Sequence, residues 1–287
     1  MLEFLSQPAG FDIGETGLLV YDAAQPLWRA LLVGLGNTMR VSLPALLLAT
    51  TMALLIALAR TSTSLTWRRL GATYVELVRN TPLLLQLLAW YFLLIEWLPD
   101  STHALHLLPS ILLSKGGLAF PWYGPDVDTG MWQWSWPHQD TFNVVGGAAV
   151  TPEYLALALA LSLYTSAFLA EVIRGGIEAV PASLMEAAET LGATRFQQIT
   201  QVLLPQALRT IVPSATNQFL NLIKNSSLAV AVGYPDLVSV GNTALNQTGR
   251  VVECVMVMMS VYLLLSLLTS AFMNWFNTRH ALKGPAA

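Results

Sequence analysis

Few residues in this 287-residue chain have the type and spacing that chemistry needs. Acid–base or nucleophilic catalysis calls for clustered His, Asp, Glu or Cys, and the carboxylates within the apolar segments stand singly. His103 and His106 have the separation of a metal pair. No Cys or third His follows at ligand spacing, so they read as solvated loop residues and no metal is expected. The single cysteine, Cys254, excludes an internal disulfide and sits among Val and Met as an ordinary packing residue. The chain contains no Gly-x-x-x-x-Gly-Lys-Ser/Thr phosphate loop, so any ATP hydrolysis must occur elsewhere.

What remains is polar chemistry in apolar surroundings. Asn217, Asn221 and Lys224 recur at offsets of four and three, which places them on one side of a helix. Polar groups at membrane depth are costly and usually functional or paired, so these three and Gln86 are candidates for lining a substrate path. Lys224, near the outer face, would attract a carboxylate; it would equally suit snorkelling to headgroups or pairing with a partner subunit. Glu76, Arg79, Glu171 and Arg174 lie near inner helix ends and form a candidate inner gate or set of ion pairs. Glu76 and Arg79, three apart, can pair on one helix face. The most polar long run of the second half is Glu186 to Pro205, EAAETLGATRFQQITQVLLP, with no catalytic set of its own and the pattern of a helix–turn–helix docking surface. Glu186, Ala187 and Ala188 open a helix, Gly192 turns it, and Phe196, Ile199, Val202 and Leu203 recur at helical spacing before Pro205 closes the second short helix.

The elements that hold these residues are membrane helices. Apolar residues make up 54% of the chain and charged ones 11%, against about 25% charged in soluble domains. Mean hydropathy is +0.56, and a net charge of −3 argues against a nucleic-acid partner. MLEFLSQPAGFDIG has neither a basic n-region nor an apolar run, so no cleavable signal is expected. Residues 1–28 read as an acidic external arm along the membrane surface, with Tyr21 and Trp28 as interfacial anchors. Five spans are predicted over about 31–59, 72–98, 152–173, 207–226 and 251–275, the second kinked at Pro82 and the fourth the least hydrophobic. Residues 100–151 read as an external loop on the membrane interface, its tryptophans 122, 132, 134 and 136 forming an aromatic belt. A short external helix and loop is expected between the last two spans. Arg60, Arg68, Arg69, Arg174, Arg195, Arg279 and Lys283 fall on one side of this topology, against Arg29, Lys115 and Arg250 on the other. The bias predicts an external N-terminus and a cytoplasmic C-terminus, hence an odd number of spans, and puts residues 182–205 in the cytoplasm. The fold class expected is an all-α integral membrane protein.

The spacing Glu-Ala-Ala, three residues, Gly192, nine residues, Val202, one residue, Leu204-Pro205 resembles the EAA coupling loop of ABC import permeases. VGLGNTMRVS (33–42), YVELVRNTPLLLQLLAWYF (74–92), AFLAEVIRGGIEAVP (167–181) and NQFLNLIKNSSLAVAVGYPDL (217–237) extend the likeness to the polar-amino-acid branch of type I ABC permeases. PAGFDIG and GGLAFPW resemble its broad-specificity general L-amino-acid subgroup, whose members often carry additional N-terminal membrane sequence. Asn225 stands where many relatives have Asp.

The resemblance implies a type I importer transmembrane domain over 29–287, in a bacterial inner membrane. Glu186, Ala187, Ala188, Gly192, Arg195 and Pro205 would couple it to an ATPase dimer that binds the ATP and Mg. A second permease subunit, sister or identical, would complete the path, and an external binding protein would deliver the amino acid. An ATPase-independent secondary transporter or channel would instead call for inverted repeats or mid-span acidic relays, and neither is visible. A membrane enzyme would need clustered acids or histidines at membrane depth.

Overall fold

The computed structural model describes residues 3–17, 19–125 and 131–280. Lys283, counted in the charge bias, lies outside them. The helices are α1 (Leu27–Thr61), α2 (Leu65–Asn80), α3 (Leu83–Trp97), α4 (Pro152–Glu178), α5 (Ala182–Thr190), α6 (Arg195–Gln197), α7 (Leu204–Asn225), α8 (Leu237–Thr248) and α9 (Val251–His280). Among the described residues, α1, α4 and α9 are each long and apolar enough to cross a bilayer; counting the bent α2–α3 pair as one span makes four. The expected fourth span, α7, has 22 residues but is too polar to qualify by composition.

The chain is not all-α. Between α3 and α4, β1 (Leu105–Leu108), β2 (Ile111–Ser114), β3 (Gly117–Phe120) and β8 (Ala148–Val150) form an antiparallel sheet in that order. The excursion between β3 and β8 adds the hairpin of β4 (Trp122–Pro125) with β5 (Trp132–Ser135), and the short pair of β6 (His138–Gln139) with β7 (Val144–Val145). Pro109-Ser110 and Lys115-Gly116 turn the first three strands, and alternate residues of β2 and β3 face inward. Four-residue strands cannot span a membrane, so the expected loop is a small sheet instead.

The core is the parallel pair α1–α4, in which Arg40 meets Tyr154 at one end and Arg60 meets Glu171 at the other. Ala45, Ala49, Ala53 and Ala57 recur every fourth residue on α1 and are buried, as are Ala156, Ala160, Ala167 and Ala170 on α4. Such small residues let two backbones approach closely where lipid offers no hydrophobic drive. Pro44 within α1 has no N–H for the Arg40 carbonyl, and the Tyr154 hydroxyl donates to that oxygen instead at 3.0 Å. Thr151 caps α4, accepting from the Tyr154 N–H at 3.2 Å, with Pro152 in the first turn where a missing donor costs nothing.

Pro82 does more than kink a span. Thr81, the residue before it, is extended, as a residue preceding proline prefers, and α2 and α3 meet at 103°. The N-terminal arm is packed rather than loose. Phe4 and Ala9 are buried with Ala244 and Cys254, and the Tyr21 hydroxyl donates to the Phe11 carbonyl at 2.9 Å.

Candidate functional site

The segment 182–203 is built by two backbone devices. Helix α5 begins at Ala182, four residues before the Glu-Ala-Ala triplet, so the triplet lies within the helix instead of opening it. At its end Gly192 takes φ +81°, its N–H bonds the Glu189 carbonyl at 2.9 Å, and the Ala193 N–H bonds the Ala188 carbonyl at 3.0 Å. That pair of bonds is a Schellman termination, which needs a left-handed residue and therefore favours glycine. Thr194 then restarts the helix with a capping box: its hydroxyl accepts from Gln197 N–H at 3.3 Å, and its own N–H donates to Gln197 Oε1 at 2.8 Å. Gln198, buried, donates to the Ala193 carbonyl at 2.9 Å and accepts from Arg195 at 3.2 Å. Arg195 thus steadies the turn from inside the segment. The T-x-x-Q of the capping box was available in the sequence; the burial of Gln198 was not.

Pro205 does not close a helix. Residues 195–225 keep a helical backbone throughout: α6, a π-helical stretch over Gln198–Leu203, then α7 with Pro205 in its first turn. The Leu204 N–H reaches back five residues to the Ile199 carbonyl, and the wider turn passes the pyrrolidine ring without a break. Residues 195–203 of this segment are therefore the stem of α7. Its outer surface carries Leu191, 87% exposed, with Phe196 and Ile199 beside it and Glu186 and Glu189 also open.

At the same end, α4 and α7 cross tightly. A Cβ at Gly176 would stand 2.3 Å from Ile211 Cγ1, so only glycine permits that approach. Glu171 pairs with Arg60 of α1 and Arg174 of α4, and Arg174 pairs with Glu178. Among the described residues Glu76 forms no ion pair, and Arg79 instead lies 4.9 Å from the centre of the Phe168 ring. Arg60, 111 positions from Glu171, was not among the residues expected in this cluster.

Asn217, Asn221 and Lys224 share the exposed face of α7, opposite buried Leu222 and Ile223. Gln86 is not with them. Its Nε2 donates to the Val78 carbonyl at 2.8 Å and to the Thr81 carbonyl at 2.9 Å, clasping the break between α2 and α3. Beside the α7 face runs a cleft of about 480 Å³ between Pro213 and Thr216 of α7 and Ser270, Asn274 and Asn277 of α9.

The opposite end is closed by hydrogen bonds that join distant segments. Buried Asn37 donates to the carbonyls of Glu15 at 2.7 Å and Pro235 at 2.9 Å, and Tyr234 donates to the Asn37 carbonyl at 3.1 Å. Arg40 pairs with Glu15 at 2.9 Å. Asp236 caps α8, accepting from the Ser239 N–H at 2.8 Å and the Tyr262 hydroxyl at 3.3 Å. Burial pushes its carboxyl up to about 6, partly offset by the N–H groups of Ser239 and Val238 and by Tyr262.

Residues 45–281 match the family of binding-protein-dependent transport system inner membrane components. The chain belongs to that family. The general L-amino acid transport system permease protein AapQ of Rhizobium johnstonii is 38% identical, covering 97% of this chain and 83% of AapQ. That alignment runs over 335 positions, longer than the chain itself, so AapQ carries surplus residues within the aligned stretch. The glutamate/aspartate import permease protein GltJ of Escherichia coli K12 is 30% identical over 69% of this chain and 65% of its own. A crystallised amino acid ABC transporter with histidines superimposes with TM-score 0.63 at 26% identity, covering 87% of this chain and 94% of that one. The inward-facing MetNI methionine ABC transporter gives 0.58 at 16% identity, covering 88% of this chain and 97% of that one; this is a likeness of fold alone. The fold is that of a type I ABC importer permease.

Proposed function

We propose that this chain is a permease subunit of an ATP-driven importer of polar amino acids in a bacterial inner membrane. The observation that carries the reading is the unbroken helical path from the exposed 182–203 segment into α7. An ATPase seated on Leu191, Phe196 and the acids of α5 would move α7 as a lever, turning its Asn217–Asn221–Lys224 face toward or away from a central path. The chain would have no catalysis or cofactor of its own; the ATPase dimer would bind ATP and Mg.

Five crossings follow, by α1, the α2–α3 pair, α4, α7 and α9, with the N-terminus outside and the C-terminus in the cytoplasm. A second permease subunit, sister or identical, would cover α9, whose apolar window is only 6% buried against 61% for α4. An external binding protein would deliver substrate to the end that bears the sheet. Lys224 there offers charge to a carboxylate, and the two asparagines offer amides to the rest of a zwitterion. Gln86 retains only Oε1 for a ligand. The Arg60–Glu171–Arg174 cluster lies within the tightly packed α1–α4 pair of one subunit, which favours a fixed brace over a gate.

The test is purification of the assembled complex, followed by identification of its ATPase and of the bound ligand, with uptake measured in vesicles. Co-purification with an ATPase whose hydrolysis is stimulated by an amino acid is the expected result. Uptake that persists without any ATPase, or labelling of residues 186–205 only from the outer side of intact cells, overturns it.

A further inference from the structure

Helix α2 is out of line with the spans. Helix α3 runs along α4, with its Tyr91 hydroxyl on Glu153 at 3.2 Å, and α2 meets α3 at 103°. Helix α2 therefore lies across the bundle, close to the plane of the membrane, at the end where α1 emerges. Its 16 residues carry three separate faces. Gly71, Tyr74, Val75 and Val78 pack on α1 and α4, the Tyr74 hydroxyl bonding the Leu163 carbonyl at 2.9 Å. Leu70 and Leu77, seven apart, form an exposed apolar stripe, Leu77 at 65% exposure. Arg68 and Arg69 are exposed at the start of the helix beside the open Trp67, and among the described residues neither has an ion-pair partner.

We propose that α2 is an in-plane interfacial helix whose Arg68 and Arg69 hold anionic phospholipid headgroups while Leu70 and Leu77 enter the acyl layer. Two observations select lipid as the occupant. Helix α2 packs through Gly71 on Ile56 and Ala59 at the end of α1, a helix long and apolar enough to span that leaves Leu54, Leu55 and Leu58 exposed. The uncompensated charge beside the apolar stripe is positive, and the amphipathic pattern of basic residues, tryptophan and leucine is that of helices lying in the headgroup boundary. The proposal goes beyond amino-acid transport, and its test needs no transport readout.

The full complex, with Cys254 replaced by Ser, is reconstituted in nanodiscs of phosphatidylcholine with and without phosphatidylglycerol. Nitroxide labels placed singly at Leu70 and Leu77 should be reached by oxygen and shielded from a water-soluble nickel reagent. Native mass spectrometry should find phosphatidylglycerol retained in preference to phosphatidylcholine. That preference should fall by about tenfold or more in R68Q/R69Q and survive in R68K/R69K. Labels open to the nickel reagent, labels protected only when a partner protein is bound, or a lipid preference unchanged in R68Q/R69Q would each overturn the proposal. Amino-acid uptake can fail independently of all these readings.

Discussion

The two ends of the helical bundle are built on different principles. At the end bearing the sheet, neutral side chains bond backbone carbonyls far away in sequence: Asn37 gathers residues 15 and 235, and Tyr154 completes the turn opened by Pro44. The arm, α1, α4 and α8 are locked together there, with bonding groups largely consumed inside the chain. At the other end Glu171 and Arg174 tie α4 to α1 by ion pairs, while the 182–203 segment satisfies its backbone by local caps and leaves Leu191 and Phe196 open. The sheet-bearing end holds its helices fixed from within; a locally stable, laterally unpacked end is suited to receive a partner that moves it.

That contrast can be broken most forcefully at Gly192. Its position leaves open space for a Cβ, so Gly192→Val is strained by the left-handed backbone and not by a clash. Roughly 1–2 kcal/mol would distort the turn locally. Uptake in vesicles should fall by about tenfold or more while the protein remains inserted and ATP hydrolysis continues uncoupled; normal uptake would count against the open end as a coupling surface. At the closed end, Asn37→Ala takes the amide donor from the part-buried carbonyls of Glu15 and Pro235. It should cost about 2–4 kcal/mol, read as a lower melting temperature in detergent.

Asp236 supplies a pH signature for the same end. Its carboxyl, ordinarily near 3.8, is raised to about 6, so the folded state holds a proton that the unfolded state has already lost between those values. Stability should therefore decline as pH rises from about 4 through 6, by about 3 kcal/mol at most, and then level off. Asp236→Asn keeps a good N-cap and should flatten that slope; an unchanged slope assigns it to other groups. The smallest effect is expected in the ionic brace. Glu171→Arg should cost about 1–3 kcal/mol and be restored in part by Arg60→Glu, but not by Arg79→Glu, in a double-mutant cycle of thermal stability.

Much of the 182–203 segment was legible because its devices are local. A glycine after a helix, a threonine three residues before a glutamine and a proline ahead of an apolar run each state a backbone requirement within a few positions. Pro205 was misleading alone, since its effect depends on whether the preceding turn can widen, and it does. The sheet escaped notice because each strand has only two to four residues and its turns lack the usual Asn-Gly signal. Pro82 announced a disruption without an angle; packing of Val75 and Val78 against the bundle, with Gln86 clasping the broken end, holds the 103°.

By itself the sequence determined the solvent of this protein, the helices able to lie in it and the turn chemistry of the exposed elbow, because hydropathy and capping act over a few neighbouring residues. Only the tertiary structure decided that Arg60 meets Glu171, that Asn37 holds residue 235 and that α2 lies across the bundle. Those outcomes depend on which helix faces share a buried boundary. Many pairings of similar apolar helices satisfy one hydropathy pattern, and the alanine ladder between α1 and α4 selects among them through close backbone contact.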